Sequence, residues 1–346
     1  MAQPDSTQEY STDILTDQNF SICNECSCVQ LTTLIDPSVL YGTAHNNTFN
    51  TPKWLDHHRK FSDFIFSKKS FNSILEVGGS GNLFTLMNKP ELQYTCLDIN
   101  TTPEPVEGIT YKFGNCESYD YSGNETIILS HVFEHLLNPR SFIGSLSKGG
   151  VKNIFISIPN MKALIDSNSS NILHNEHTYY IDKVLAVWLF EEYGYYLEDY
   201  FEYESHSLFM YFCRKESSCK TESSCNIVGR VPIPRPELEA VFGRIFQDEY
   251  SRLSKIVIKP QSFVVPAGLY GQFITQYCKI SQIIGFLDND KTKQGRRVYG
   301  TPFYVFGFDE LYKYSDITIY IWLGQYTSEI IKQIQTYPVN AEIILI

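Results

Sequence analysis

Ile74-Leu75-Glu76-Val77-Gly78-Gly79-Ser80-Gly81-Asn82-Leu83-Phe84 is the stretch on which the fold turns. An apolar run of strand length ends near an acid and passes into a glycine-rich turn. Absent side chains there let a ligand approach the backbone and the N-terminus of the next helix. The following apolar run, Tyr94-Thr95-Cys96-Leu97-Asp98, closes on an acid 22 residues after Glu76. An acid at that place can accept both hydroxyls of a ribose. Glu76, Gly78, Gly79, Gly81 and Asp98 are therefore the expected contacts to an adenosine-type cofactor.

Further strands are expected at Thr126-Ile127-Ile128-Leu129 and Asn153-Ile154-Phe155-Ile156-Ser157-Ile158, with helix-length segments between. Apolar strands alternating with helices imply a parallel sheet covered on both faces, with ligands at the carboxyl ends of the strands. The run RKESSCKTESSCN from Arg214 to Asn226 has no apolar residue except its cysteines and reads as a linker. After it the alternation returns at Ser262-Phe263-Val264-Val265, Ile283-Ile284-Gly285-Phe286-Leu287-Asp288 and Ile317-Thr318-Ile319-Tyr320-Ile321-Trp322. The expected fold class is α/β, a Rossmann-like domain followed by a second, smaller α/β unit. Its expected divisions are an N-terminal lobe over 1–60, a main domain over 61–214, a linker and connecting helix over 215–245, and a C-terminal domain over 246–346.

The chain has 346 residues, enough for about two domains at ~150 residues each. With 28 Lys and Arg against 39 Asp and Glu the net charge is −11. No global basic field exists to hold a phosphate backbone, which excludes a general nucleic-acid binder. No apolar run approaches the ~20 residues that a membrane span needs. Nine cysteines are too sparse for a disulfide scaffold, and the polar start from Met1 to Asp13 carries no export signal. A cytoplasmic protein with free thiols is expected; the sequence leaves its oligomeric state open.

The order of the first motif, Glu-x-Gly-Gly-x-Gly, differs from the dinucleotide fingerprint and resembles the first motif of class I methyltransferases. The glycine loop is one residue shorter than the usual form. Leu129-Ser130-His131-Val132-Phe133-Glu134-His135-Leu136-Leu137-Asn138-Pro139-Arg140 is similar to that family's fourth-strand segment, and Ile156-Ser157-Ile158-Pro159-Asn160 to its fifth. Within class I, the chain resembles the sugar C-methyltransferases acting on nucleotide-linked deoxysugars. Cys23-Asn24-Glu25-Cys26-Ser27-Cys28-Val29-Gln30-Leu31, His174-Asn175-Glu176-His177-Thr178-Tyr179-Tyr180 and Gly268-Leu269-Tyr270-Gly271 carry that likeness over nearly the whole chain.

The resemblance implies S-adenosylmethionine as cofactor, with His131 and Glu134 joining the cofactor contacts. It implies His177 as general base, Glu176 as its orienting partner and Tyr180 as a donor to an enolate oxygen. His174 stands where the family usually has tyrosine and is a second candidate base. His206, Asn160 and His45 are the expected substrate contacts. The stretch from Ala44 through Trp54 and His57 sets polar side chains beside an aromatic, which suits a sugar. The implied reaction is C-methylation beside a ketone of a nucleotide-linked sugar. The alternatives are a sugar or other small-molecule O-methyltransferase, and a non-catalytic sugar-nucleotide-binding protein on the same fold.

The family closes a structural zinc site with two cysteine pairs, and only Cys23 and Cys26 are present here. One pair cannot make a four-ligand site by itself, so no metal is expected. Asp288-Asn289-Asp290-Lys291-Thr292 begins like a calcium loop, but its sixth position is Lys293 and its twelfth is Tyr299. It reads as a surface turn.

Overall fold

The computed structural model describes residues 9–13, 16–41, 52–79, 81–100, 105–167, 169, 172–173, 176–204, 206–214 and 235–346. The chain divides into two compact units, Gln18–Asp36 with Thr48–Phe242, and Met1–Asp17 with Pro37–Asn47 and Gly243–Ile346. Among the described residues no helix is long and apolar enough to cross a membrane.

The strands of the large unit are β1 (Phe20–Ile22), β2 (Val29–Leu31), β3 (Ser73–Val77), β4 (Gln93–Asp98), β5 (Ile109–Phe113), β6 (Thr126–Ser130), β7 (Asn153–Pro159), β8 (Tyr179–Tyr180), β9 (Tyr195–Tyr203) and β10 (Ser207–Arg214). Its helices are α1 (Pro52–Phe66), α2 (Asn82–Met87), α3 (Pro139–Lys148), α4 (Met161–Asp166) and α5 (Lys183–Glu191). Seven strands form one sheet in the order β5-β4-β3-β6-β7-β10-β9. The first five are parallel, and β10 runs antiparallel between β7 and β9. The order reverses at β3 and β6, and a doubly wound sheet opens its ligand crevice at such a point.

Both faces of this sheet are covered, which is why its central strands are apolar throughout. On one face Val77, Leu129, Ile156 and Met210 pack with Phe142, Ile143 and Leu146 of α3 and with Leu185 and Phe190 of α5. On the other, Ile74, Ile128, Phe155 and Phe209 pack with Phe61, Phe64 and Ile65 of α1 and with Leu83 and Phe84 of α2. Each ring so buried contributes about 1.5–3 kcal/mol relative to an exposed one. Local signals set the helix ends. Asn138 accepts from the Ser141 amide at 3.0 Å ahead of Pro139, and Asp182 accepts from the Leu185 amide at 2.8 Å.

Three expected strands of the main domain are observed at β3, β6 and β7 and the fourth at β4, each within a residue of the reading. The edge strands β5 and β9 were not legible, because one side of each meets solvent and their apolar runs are interrupted. Residues 1–60 do not form one lobe. β1 and β2 pair with each other and β2 with β8 inside the large unit, and α1 lies on its sheet. Asp13 instead belongs to the small unit, where its carboxylate makes a two-pronged ion pair with buried Arg297 at 2.5 and 2.6 Å and accepts from the Gly300 amide.

The small unit adds β11 (Val257–Ile258), β12 (Ser262–Val265), β13 (Lys279–Ile280), β14 (Gly285–Leu287), β15 (Val305–Phe306), β16 (Asp316–Ile321) and β17 (Asn340–Leu345). Between them the helices are α7 (Leu269–Tyr277) and α8 (Thr327–Ile334), and α6 (Arg235–Leu253) spans the division between the units. Five parallel strands are ordered β15-β14-β12-β16-β17, as the second run of apolar segments predicts. The turn after β14 is held by its own carboxylates. Asp288 accepts from the Asp290 amide and from Lys293, and Asp290 accepts from Thr292.

Candidate functional site

The glycine turn leaves β3 and enters α2 with Gly78 at φ +70° and Gly81 at φ +88°, a backbone region that favours glycine. Gly79 is required for a different reason. A Cβ there would lie 2.1 Å from the Glu76 carboxyl carbon, because that side chain folds beneath the turn. Glu76 is buried, receives the Cys96 thiol at 3.4 Å, and is pushed up to about 7 by burial. The structure therefore makes Glu76 a support under the turn rather than a residue facing the cleft, which corrects the expected direct cofactor contact.

Asp98 ends β4 beside the turn, where the Gly78 amide donates to the Leu97 carbonyl at 2.8 Å. The Asp98 carboxylate accepts from the Asn100 amide at 2.7 Å, and burial shifts it upward. A carboxylate has about four acceptor positions, so it can hold further hydroxyl donors.

Two clusters of histidines stand at the carboxyl ends of β6 and β7. In the first, Glu134 and His135 occupy a single 3-10 turn, Phe133–His135, and His177 arrives on the segment leading into β8. One ligand-type atom from each of Glu134, His135 and His177 lies within 4.8 Å of the others. The segment is strapped down: the Thr178 amide donates to the Glu134 carbonyl at 2.9 Å, and His135 Nδ1 pairs with the Glu176 carbonyl at 3.0 Å. The His135 and His177 rings meet edge-on at 4.9 Å. Glu134 is buried and raised to about 7 by desolvation, with His135 pulling the other way.

The second cluster comprises His57 of α1, His131 after β6 and His206 before β10, with Trp54 edge-on to all three at 4.8–5.0 Å between ring centres. His131 Nδ1 meets Glu134 Oε1 at 3.1 Å and Nε2 meets Ser207 Oγ at 2.8 Å, while His57 Nε2 meets Ser157 Oγ at 2.9 Å. His131 has φ +54°, an uncommon value for a residue with a side chain, and such strain gathers at functional positions. Burial holds the imidazoles far down, with repulsion from neighbouring imidazoles adding to it for His57, His58 and His206: His131 and His206 at about 3, His58 at about 4 and His57 lower still. The cluster is neutral at pH 7.

Several expectations change. His131 meets Glu134 through Nδ1 and Ser207 through Nε2, so its ring is held between two partners of the protein itself. Asn160 caps α4, accepting from the Ala163 amide at 3.1 Å, and its amide group is thereby spent on structure rather than substrate. Tyr180 is buried with its ring edge-on to Phe20 at 5.6 Å and Phe242 at 5.5 Å. Glu176 gives His135 its carbonyl, and Glu134 supplies the carboxylate near His177. His174 and His45 lie outside the described residues. The cysteines form a local turn, with the Cys23 amide on the Cys28 carbonyl at 2.9 Å and the Ser27 amide on the Cys23 carbonyl at 3.1 Å. The role of Ser157 and Ser207 as partners of the histidines escaped sequence reading, since serine at a strand end carries no signal of its own.

No family model matches the chain, and no curated protein matches it. Among solved structures it is similar to magnesium protoporphyrin IX methyltransferase from Synechocystis PCC 6803 with bound SAH, at 12% identity, over 51% of this chain and 91% of that one, with a TM-score of 0.39. It is also similar to the 1,6-didemethyltoxoflavin-N1-methyltransferase of Burkholderia thailandensis, at 12% identity over 56% and 98%, with a TM-score of 0.43. These overlaps are partial, and the strand order decides the matter: five parallel strands with reversal at β3 and β6, followed by an antiparallel β10 inserted inside β9. The large unit has the class I methyltransferase fold.

Proposed function

We propose that this chain is an S-adenosylmethionine-dependent methyltransferase acting on a nucleotide-linked sugar, with C-methylation beside a ketone as its reaction. The observation that carries the reading is the juxtaposition, at the switch point of the sheet, of a glycine turn, an acid ending the adjacent strand, and the Glu134, His135 and His177 cluster. The donor set suits the cofactor. Gly78, Gly79 and Gly81 leave backbone open where a Cβ would crowd its neighbours, and Asp98 offers acceptors for two ribose hydroxyls. The sugar is supported by the ordered cysteine, Glu-His and C-terminal motifs of the sequence.

S-adenosylmethionine, when bound, supplies an electrophilic methyl group. The protein's own part is alignment and proton removal. His177 takes the proton from the carbon beside the ketone; Glu134 and His135 fix the position of its ring, in the place first expected of Glu176. Only a neutral imidazole can accept that proton.

The test is calorimetry with S-adenosylmethionine, followed by mass spectrometry of products from a panel of nucleotide sugars. Asp98→Ala should weaken cofactor binding at least about tenfold, because lost charge-assisted hydrogen bonds are worth ~1.5–3 kcal/mol apiece. Unchanged affinity in the folded variant would refute the cofactor site. Cofactor binding without methylation of any sugar would refute the substrate assignment alone.

A further inference from the structure

We propose that His57, His131 and His206 bind one divalent transition-metal ion of the zinc class. Three separate elements bring these side chains together, and one ring nitrogen from each lies within 4.8 Å of the others. Their ring centres form a near-equilateral triangle with sides of 5.3, 5.5 and 5.6 Å. Two nitrogens already converge on a single point. Ser207 Oγ stands 2.8 Å from His131 Nε2 and 2.5 Å from His206 Nδ1. A tetrahedral ion with nitrogen ligands at about 2.0–2.1 Å needs nitrogens about 3.3 Å apart, which small ring rotations supply.

Three further features favour a cation. His57 is fully buried, and its Nδ1 has no hydrogen-bond partner among the described residues; a buried ring nitrogen left so is costly, and a metal satisfies it. His131 is backed by Glu134 through Nδ1 at 3.1 Å, the carboxylate–imidazole arrangement that orients metal-binding histidines and raises their basicity. Trp54 makes edge contacts to all three rings and so holds them as one packed group. Burial also keeps the imidazoles in the neutral form that ligates. Lys53, whose charge reaches His57 and His206, is paired with Glu204. Three neutral nitrogens without a thiolate suit zinc, cobalt, nickel or copper rather than magnesium or calcium. With the serine hydroxyl as a fourth donor, the ion joins α1 to the ends of β6 and β10.

The experiment is equilibrium binding of Zn2+ and Co2+ to the metal-stripped full chain, with elemental analysis for stoichiometry. One ion per chain is expected, with X-ray absorption of the zinc form showing a shell of imidazole nitrogens and oxygen without sulfur. His206→Gln, at a half-buried turn, and His57→Gln should each lower affinity at least about 100-fold, beyond the 10–100-fold typical of losing a supporting residue. His177→Gln should leave affinity unchanged. A sulfur shell would place the ion on Cys23 and Cys26 and overturn the proposal. Loss of binding in His177→Gln but not in His206→Gln would place it on Glu134, His135 and His177 and overturn it equally, as would failure of the folded wild-type chain to take up either ion. The X-ray absorption readout needs no variant, so misfolding of His57→Gln leaves the question decided.

Discussion

Acidification from pH 7 to pH 4 sets two groups of buried residues against each other in the large unit. The unfolded chain protonates its histidines near the ordinary 6.5, whereas folding holds His131 and His206 at about 3, His58 at about 4 and His57 lower. Below pH 6.5 the unfolded state therefore binds more protons, and stability falls as pH falls. Glu76 and Glu134 act in the opposite sense. Each is raised from 4.5 to about 7 by burial, so the folded state takes up their protons first and gains stability on acidification from pH 7 toward 4.5. Between pH 7 and 5 four histidines lose about 2 kcal/mol each and two carboxyls regain about 2 each, a net loss of about 3 to 4 kcal/mol. Below pH 5 the carboxyls have little left to give and the histidines continue at about 1.4 kcal/mol per pH unit each, so the net loss reaches roughly 7 kcal/mol by pH 4. Against a typical total of about 5–15 kcal/mol, that unfolds the unit or brings it close. Urea unfolding of the chelator-treated chain, followed by circular dichroism, should show a nearly flat profile from pH 7 to 6 and a steep decline below. In His206→Gln the decline should lose about 1.4 kcal/mol per pH unit. Stability that stays level from pH 6 to 4, or a slope indifferent to His206→Gln, would refute the reasoning.

His177→Ala should lower turnover by ~10²–10⁴ while leaving calorimetric cofactor affinity nearly intact; full turnover in the variant would remove His177 as base. Gly79→Ala sets a methyl group against the Glu76 carboxyl and should cost about 1–3 kcal/mol in urea unfolding. Glu76→Ala in the same chain should recover part of that loss, and strictly additive losses would contradict the contact. Asn160→Ala should cost about 1 kcal/mol as a lost helix cap and leave the KM for the acceptor unchanged. A rise in KM at full stability would return Asn160 to the substrate site.

Near-neighbour physics accounts for what could be read from the chain alone. The runs ending at Val77, Asp98, Leu129 and Ile158 are apolar because a parallel strand covered on both faces has no wet side, so their identity is written locally. The glycine turn and Asp98 are local as well, since both follow directly from a strand that stops at the crevice. The run after Arg214 reads as a linker by composition, and residues 215–234 lie outside the described ones. Tertiary structure decided the rest. Glu76 looked like a cofactor ligand because sequence gives an acid its place along a strand but not the face on which its carboxylate is buried. Asn160 and Tyr180 lie in motif-like segments, yet one caps a helix and the other is buried with its ring edge-on to Phe20 and Phe242. The histidine triangle was beyond any spacing rule: 57, 131 and 206 are 74 and 75 residues apart, and only the arrival of α1, β6 and β10 at one end of the sheet brings them together. Contacts within a turn or strand are set by the residues that form it, whereas a site assembled from the ends of several strands exists only once long-range packing has closed the loops between them.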